Sequence, residues 1–388
     1  MLAKAKEMLT KNIIPFWRGL KDSEYGGYYG FMDYNFRLNK KAVKGCILNS
    51  RILWFFSNAY LMLGDKECLH NAKHAYAFMR KYCIDTENSG IYWSVNYDGS
   101  IADATKHTYN QAFAIYALAS YYEASKDEDA LALAFDIFNV IEKLCVDSGG
   151  YCEAFDRTFK PESNEKLSEN GVMAARTMNT LLHVFEAYSG LYKVRKDGNV
   201  EKCMRRILDI YAEKVYNPEK QRLEVFFDEN MNSILDIHSY GHDIEASWLV
   251  DWGTSLLGDA ALSAKISAIN SILAEKVIAT AYHKRSIYYE CVNGIDATYR
   301  EWWAQAEALV GFLHEYQKHP EKKKFFDAAN DVLSFINEFI VDKREGSEWF
   351  ARVDDSGKPE ERQPLVQPWK CPYHNGRMCF EIMSRVKE

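Results

Sequence analysis

The chain has 388 residues, 47% of them hydrophobic, which suffices for a large core in one large domain or two average ones. Its net charge of −7, with acidic and basic residues interspersed, argues against a general nucleic-acid or anionic-membrane surface. Nine scattered cysteines without a C-x-x-C motif indicate a reducing compartment, and no segment approaches the ~18–20 apolar residues of a membrane span. We therefore expect a cytoplasmic protein.

Short aromatic segments that end in Asp or Asn recur along the chain. They cover residues 27–33, 90–98, 150–156, 223–228, 287–293 and 348–354. Each combines β-forming residues with a turn former, which predicts a short strand or hairpin. The five intervals between the ends of these segments are 65, 58, 72, 65 and 61 residues, and a period of roughly 60–65 residues with six copies is typical of an internal repeat.

Two helical patterns lie between consecutive hairpins. In the first, Leu48, Ile52, Phe55 and Ala59 follow helical spacing and Gly64 marks the end. The predicted helices cover residues 1–20, 47–63, 67–83, 109–122, 130–145, 173–192, 200–216, 243–257, 260–281, 301–316, 324–340 and 373–386. Six pairs without a Pro/Ser-rich linker predict an all-α fold, a single (α/α)6 barrel over residues 1–388 with short β-hairpins at the active-site rim. An open helical solenoid is the alternative, but the chain shows no polar capping repeats.

The helix after each hairpin is the more apolar of its pair, which favours an inner ring. All hairpin-to-inner-helix junctions then open on one rim, and their polar residues converge on one cavity. These residues are Asn49, Arg51, His107, Tyr109, Asn110, Asn179, His183, His238, His242, Glu245, Trp302, Trp303, Glu307, His374, Asn375 and Arg377.

The densest of these junctions is residues 238–248 (HSYGHDIEASW). A helix that begins near Gly241 puts His242 and Glu245 one turn apart on one face, where Glu245 fixes the tautomer of His242 or accepts a sugar hydroxyl. A second cluster near the C-terminus contains His374. We interpret His242 and His374 as an acid/base pair that acts on a small polar substrate.

The i, i+4 spacing of His238 and His242 also fits a helical zinc site. However, Ser239 stands where the H-E-x-x-H motif requires glutamate, and a catalytic zinc needs a third ligand. We expect no metal. His238 itself has either a supporting role near the site or a packing role.

Other candidates keep two interpretations. Arg51 lies in an apolar helix, so its guanidinium needs either a structural carboxylate or a bound oxyanion. His183 and His107 fit a site or a core. A glycosidase would need two carboxylates across the scissile bond, and Asp243, Glu245 and Glu307 are candidates.

Several stretches resemble the N-acylglucosamine 2-epimerase superfamily, and most closely its bacterial members that act on cellobiose. The stretches are residues 48–60, 106–110, 238–248, 302–303 and 369–378, and the resemblance runs over essentially the whole chain. It implies an (α/α)6 barrel and reversible epimerisation at C2 of the reducing-end glucose of cellobiose, which gives glucosyl-mannose. It also implies similar action on lactose and other β-1,4-linked disaccharides, without a cofactor.

The resemblance also implies roles for individual residues. It places the acid/base pair at His242 and His374, an essential arginine at Arg51, a further essential histidine at His183 and an acidic partner at Glu245. It places aromatic sugar contacts at Trp302 or Trp303 and at Trp369. From their place on the rim, and not from the resemblance, we also expect Tyr109, Asn179, Glu307 and Arg377 to bind the substrate.

Inversion through a cis-enediolate needs an acid/base group on each face of C2, one neutral and one protonated at the start. Histidine suits both roles because its ordinary pKa is ~6.5, and Arg51 would stabilise the charge on O1. The alternatives are an N-acylglucosamine 2-epimerase or mannose isomerase of the same superfamily, a glycoside hydrolase, and a non-catalytic sugar-binding protein. We expect a monomer whose partner is a small disaccharide, with no nucleic-acid or membrane partner.

Overall fold

The computed structural model describes residues 1–166 and 171–386, and over those residues the chain forms twelve helices. They are α1 (Leu2–Glu7, continued by a π-helical segment Met8–Ile13 and by Ile14–Gly19), α2 (Cys46–Leu63), α3 (Lys66–Phe78, continued by Met79–Cys83), α4 (Thr108–Ser125), α5 (Glu128–Leu144), α6 (Met178–Val194), α7 (Gly198–Ile210, continued by Tyr211–Val215), α8 (Tyr240–Ser255), α9 (Ala260–Thr280), α10 (Trp302–Lys318), α11 (Lys323–Phe335, continued by Ile336–Ile340) and α12 (Tyr373–Arg385). Every predicted helix is present. The largest error is at α6, which begins at Met178 rather than Met173 because Arg176–Thr177 forms a strand.

The even-numbered helices form a closed inner ring. Each packs against the next, and α12 packs against α2. The inner helices are buried on almost all sides, which explains their lack of a polar face, whereas the outer helix α7 buries one apolar stripe. The structure is therefore a closed (α/α)6 barrel, and the open solenoid is excluded. None of the helices described combines the length and apolar character that a membrane-spanning helix needs.

Eighteen short strands accompany the helices in the described ranges. They are β1 (Lys44–Gly45), β2 (Ser94–Val95), β3 (Ile101–Asp103), β4 (Lys106–His107), β5 (Val146–Asp147), β6 (Gly150–Tyr151), β7 (Ala154–Phe155), β8 (Arg176–Thr177), β9 (Tyr216–Asn217), β10 (Arg222–Leu223), β11 (Phe226–Phe227), β12 (Ile237–Ser239), β13 (Tyr282–His283), β14 (Ser286–Ile287), β15 (Glu290–Val292), β16 (Ile295–Ala297), β17 (Arg300–Glu301) and β18 (Arg352–Val353).

These strands join neighbouring repeats at one rim. The strand that leads into an inner helix pairs antiparallel with the hairpin of the following repeat: β1 with β2, β4 with β7, β8 with β11, β12 with β15 and β17 with β18. A bridge between Met32 and Val366 connects the last repeat to the first. The hairpins therefore form a band that closes with the barrel.

The fourth residue of an inner helix anchors the hairpin backbone in four repeats. The side-chain oxygen of this residue accepts a hydrogen bond from a backbone N–H of the hairpin. The donor and acceptor residues are Tyr28 and Asn49 (3.1 Å), Ile91 and Gln111 (2.7 Å), Leu223 and Asp243 (3.3 Å), and Ile287 and Gln305 (2.9 Å). Such bonds satisfy buried backbone donors where the strands end. Asn49, one of the predicted rim residues, is therefore an anchor of the fold.

A buried basic residue stands just before each inner helix and pairs with a carboxylate. The pairs are Lys44–Asp22 (2.6 Å), Lys106–Asp85 (3.1 Å), Arg176–Asp147 (2.5 Å), His238–Asp243 (2.8 Å), Arg300–Asp355 (2.7 Å) and Lys370–Glu348. Loss of one partner from such a pair leaves a buried charge without compensation. Five of the six pairs tie the segment before an inner helix to a carboxylate outside that helix, whereas His238 pairs with Asp243 of α8 itself.

Candidate active site

The hairpin rim surrounds a cavity of about 290 Å³ at the N-terminal ends of the inner helices. Residues of all six inner helices line it, so the junctions converge on one cavity as the repeat predicts. Seven of the sixteen predicted rim residues are nevertheless outside its wall: Asn49, His107, Asn110, His238, Glu307, Asn375 and Arg377. Ten of the twelve predicted site residues are in its wall: Arg51, Tyr109, Asn179, His183, His242, Glu245, Trp302, Trp303, Trp369 and His374. Glu307 and Arg377 lie beneath it.

His374 lies in the first turn of α12 and is oriented by a buried carboxylate. Its Nδ1 is 2.7 Å from Oε1 of Glu307, while Oε2 of Glu307 accepts a hydrogen bond from Trp248 Nε1 at 3.0 Å. Because an ionised carboxylate only accepts, Nδ1 of His374 carries the proton and Nε2 keeps its lone pair. Burial, with the nearby charges of Arg377 and Arg51, holds the pKa of His374 well below its ordinary value.

His242 lies in the first turn of α8, on another part of the wall. Its Nδ1 is 2.7 Å from Ser239 Oγ. Burial lowers the pKa of His242 to about 3, with a smaller effect from the charge of His183. The indole of Trp303 packs against both catalytic candidates, with ring centroids 4.7 Å from His242 and 5.4 Å from His374. One aromatic side chain thus fixes the positions of both imidazoles.

The predicted contact between Glu245 and His242 does not form. Oε1 of Glu245 accepts a hydrogen bond from Arg377 and lies 4.0 Å from Nδ1 of His374. The helical spacing places both side chains on one face of α8, but the carboxylate turns towards the guanidinium at the barrel centre. The residue that binds His242 is Ser239.

Below the cavity, Arg377 gathers three buried carboxylates. Its Nη1 is 2.5 Å from Glu186 Oε1, and its Nη2 is 2.8 Å from Glu307 Oε1 and also binds Glu245. One cation does not compensate three buried anions, and burial, followed by the charge of Glu307, raises the pKa of Glu245 to about 7. Glu307 and Arg377, which we expected to contact the sugar, are not in the cavity wall and instead bind two residues that line it, His374 and Glu245.

His183 is held in the same way from the opposite side of the cluster. Its Nδ1 is 2.8 Å from Oε2 of Glu186, which also accepts a hydrogen bond from the Tyr373 hydroxyl at 2.5 Å. The hydrogen bond to Glu186 places the proton of His183 on Nδ1, so its Nε2 is the atom that a ligand would meet.

Arg51 is 2% exposed and forms no ion pair within residues 1–166 and 171–386. Its Nη2 donates to the Tyr109 hydroxyl at 2.7 Å, its Nη1 contacts Cys371 Sγ at 3.9 Å, and its guanidinium lies 4.1 Å from the ring centroid of Phe113. Of the two interpretations left open by the sequence, the structure therefore favours a bound oxyanion as its partner.

A family model described as N-acylglucosamine 2-epimerase (GlcNAc 2-epimerase) matches residues 16–375 of this chain. The chain belongs to this family. A cellobiose 2-epimerase of Ruminococcus albus is 50% identical over 389 residues, 99% of each chain. A cellobiose 2-epimerase of Eubacterium cellulosolvens is 48% identical over 394 residues, 97% of each chain. The crystal structure of a sugar epimerase from a ruminal bacterium matches with a TM-score of 0.98 and 47% identity over 100% of both chains. Together these matches identify an isomerase of the epimerase type.

In this N-acylglucosamine 2-epimerase family member, one cluster has the composition of a metal site. Candidate ligand atoms of Glu245, Glu307 and His374 lie within 4.8 Å of one another. However, Arg377 Nη2 already binds both carboxylates, and a metal cation between them would be repelled by this buried guanidinium. The hydrogen bonds of Arg377 therefore occupy the position that a metal would need.

The two histidines with zinc-like spacing turn to separate partners. Nε2 of His238 is 2.8 Å from Asp243 Oδ2, whereas Nδ1 of His242 binds Ser239. His238 is thus the fourth-repeat member of the buried basic residues that precede the inner helices, and its role is structural.

Several residues at the site were missed from the sequence. The wall also contains Lys166, Thr177, Thr180, Tyr289, Glu301, Arg352, Gln363, Gln367 and Lys370, and Glu186 and Glu348 lie behind it. Glu186 follows His183 by three residues, a spacing that marks it as a helical neighbour. The basic residue that recurs before each inner helix is a signal for Lys370. Gln363 and Gln367 stand in an irregular segment without a sequence signal.

Proposed function

We propose that this protein epimerises the reducing-end glucose of cellobiose at C2 to give glucosyl-mannose, without a cofactor, and acts similarly on lactose and other β-1,4-linked disaccharides. The observation that carries the proposal is a pair of imidazoles, of half-buried His242 and buried His374, which open on one cavity and pack on one indole. The names of the relatives, which are 48–50% identical, supply cellobiose as the substrate.

The protonation states revise the expected scheme, in which one histidine starts protonated. Burial lowers the pKa of His242 to about 3 and that of His374 well below its ordinary value, so both are neutral near pH 7 in the free protein. The proton that one histidine later delivers to C2 must then come from the substrate. When the hemiacetal opens, one neutral histidine takes the proton of the O1 hydroxyl.

Ring opening also needs an acid for the ring oxygen. Glu245 lines the cavity and its pKa is raised to about 7, so a large fraction is protonated near neutral pH. Glu245 gives its proton to O5 as the C1–O5 bond breaks. The products of this step are the open-chain aldehyde, one imidazolium and the Glu245 carboxylate.

Epimerisation follows from these species. The second, neutral histidine removes the C2 proton, and the electron pair moves onto O1 to form the cis-enediolate, which Arg51 stabilises. One preorganised donor of this kind is typically worth ~3–4 kcal/mol. The imidazolium then delivers its proton to the opposite face of C2. Ring closure returns the O5 proton to Glu245 and moves the remaining imidazolium proton to O1, so all groups regain their starting states.

The other wall residues orient the sugar. Glu307 fixes the tautomer of His374. The Ser239 hydroxyl can accept a hydrogen bond from Nδ1–H of His242, and with that tautomer Nε2 of each ring is available to C2. Trp302, Trp303 and Trp369 supply aromatic faces for sugar rings. Tyr109, Asn179 and His183 supply polar groups for hydroxyls.

Incubation with cellobiose in D2O tests the proposal. The expected product is glucosyl-mannose with deuterium at C2, detected by NMR and mass spectrometry, because imidazole protons exchange with solvent. His242→Asn and His374→Asn should each abolish turnover while the far-UV circular dichroism stays that of the wild type. A product without deuterium at C2, or turnover in either variant, rules against the two-histidine mechanism.

The same incubation separates the alternatives. A glycoside hydrolase would release monosaccharides, and a sugar-binding protein would leave cellobiose unchanged. A glycoside hydrolase needs carboxylates on both sides of the glycosidic bond that it cleaves. However, Glu307 and Asp243 are absent from the cavity wall, and Glu245 binds the same Arg377 guanidinium as Glu307. Parallel incubations with N-acetylglucosamine and mannose test the other activities of the superfamily.

We further propose a monomeric, cytoplasmic protein without nucleic-acid or membrane partners. The net charge of −7 and the nine unpaired cysteines support this assignment. Light scattering at micromolar concentration measures the mass, and a dimer would contradict the proposal.

A further inference from the structure

The buried pair Lys370–Glu348 differs from the other five pairs that precede inner helices. Both side chains are at most 1% exposed, yet Lys370 lies in the cavity wall, whereas none of the other five basic residues does. In the described residues, α12 is also the one inner helix that no strand enters. The start of the helix that carries His374 is therefore held by something other than a strand.

Glu348 holds this helix start through two contacts. Its Oε2 accepts a hydrogen bond from Asn375 Nδ2 at 2.6 Å, and Asn375 directly follows His374 in the chain. Its Oε1 binds Lys370, whose ammonium lies 4.6 Å from the centroid of the Trp302 ring. Trp302 in turn meets the imidazole of His374 edge-on, with centroids 5.5 Å apart. Backbone and ring of His374 are thus both supported by one carboxylate.

We propose that Glu348 is a positioning residue for His374 and that Lys370 transmits its effect to the Trp302 wall. The inference rests on the proposed role of His374 as an acid/base group. Proton transfer at carbon requires the imidazole nitrogen within reach of C2, and a displacement of about 1 Å costs about 100-fold in rate. Glu348 is not among the residues that line the cavity, so its loss impairs the proton transfers of His374 through the position of the imidazole and spares those of His242.

The chain offers a matched control in the first repeat. Asp22 binds Lys44 at 2.6 Å, both side chains are at most 1% exposed, and neither lies in the cavity wall. Glu348→Gln and Asp22→Asn each leave a buried lysine without its carboxylate. We therefore expect both variants to lower the urea midpoint of unfolding to a similar extent.

Only Glu348→Gln should change catalysis. We expect its kcat for cellobiose to fall about 100-fold with KM within about threefold of the wild type. In D2O, its ratio of C2–H exchange to epimerisation should rise, because His242 still removes and returns a proton on its own face. Asp22→Asn should keep kcat and the ratio of exchange to epimerisation within about threefold of the wild type. A kcat and an exchange ratio for Glu348→Gln that equal those of Asp22→Asn would overturn the inference.

If Glu348→Gln does not fold, the double variant Glu348→Leu/Lys370→Met replaces the test. An apolar pair removes both buried charges, and such replacements usually leave stability unchanged or increase it. We expect a folded protein with the same loss of kcat, and wild-type kcat would overturn the inference. Failure of the proposed function is distinguishable, because it would appear as a wild type that does not epimerise cellobiose or as an active His374→Asn variant.

Discussion

Gly241 permits the close approach of Trp303 to the start of α8. A Cβ at this position would lie 2.6 Å from Cη2 and 2.8 Å from Cζ3 of the Trp303 indole. Non-bonded carbons settle at about 3.5 Å or more, so Gly241→Ala forces a separation of roughly 0.9 Å. The indole packs on His242 and His374, and its displacement is therefore carried to both imidazoles.

The two effects of Gly241→Ala differ in size. Overpacking costs ~1–3 kcal/mol of stability, while replacement of glycine in a helix returns ~1 kcal/mol, so the net destabilisation is at most ~2 kcal/mol. A displacement of nearly 1 Å at the two proposed acid/base groups costs about 100-fold in rate. We therefore expect a folded protein with kcat about 100-fold below that of the wild type.

The assay is the initial rate of glucosyl-mannose formation from cellobiose, with thermal unfolding measured in parallel. The control is Gly198→Ala, because Gly198 also lies in a helix but has no atom within 4 Å of an added Cβ. This control should keep the wild-type kcat and gain up to ~1 kcal/mol in stability. A Gly241→Ala variant whose kcat stays within threefold of that control would refute the reasoning.

Three further outcomes follow from the buried polar groups. Arg51→Met should lower kcat by about 10²–10³. It should not lower the thermal midpoint, because Arg51 has no ion pair in the described chain to lose. Equal kcat values for Arg51→Met and Arg51→Lys would contradict the proposal that Arg51 stabilises an oxyanion. Glu307→Gln presents an N–H donor to Nδ1 of His374 and favours the tautomer with its proton on Nε2, so we expect kcat to fall by about 10²–10⁴ while KM changes little. A large rise in KM alone would instead indicate that Glu307 contacts the sugar. Burial raises the pKa of Glu153 to about 7, so the folded chain binds this proton more tightly than the unfolded chain, in which the pKa is about 4.3. The stability of the wild type relative to Glu153→Gln should therefore fall by ~3–4 kcal/mol as pH rises from about 4 to 7 and stay constant above; urea midpoints that show no such pH-dependent difference would contradict this.

The sequence by itself determined the helices, the repeat and the rim. Apolar spacing such as that from Leu48 to Ala59 reports helices because it depends on the 3.6-residue turn of each segment alone. The recurrence of the hairpins then placed Arg51, His242 and His374 at equivalent junctions. A closed ring of equivalent junctions has one rim, so their convergence followed without coordinates.

Only the tertiary structure decided which side chains bind one another. Glu245 follows His242 by three residues, yet its carboxylate binds Arg377, which is 132 residues away in the chain. Glu307 orients His374 across 67 residues. Helical spacing fixes a shared face but not the direction in which a side chain turns, and that direction depends on charges from helices that meet only in the closed barrel.

The tertiary structure also decides the protonation states of the residues in the cavity wall. From sequence, both histidines have the ordinary pKa, whereas burial lowers the pKa of His242 to about 3 and that of His374 well below its usual value. Burial, followed by the charge of Glu307, raises the pKa of Glu245 to about 7, although the guanidinium that both carboxylates bind acts in the opposite direction. Desolvation and charge separation are properties of the packed cavity, which no local segment of the chain contains.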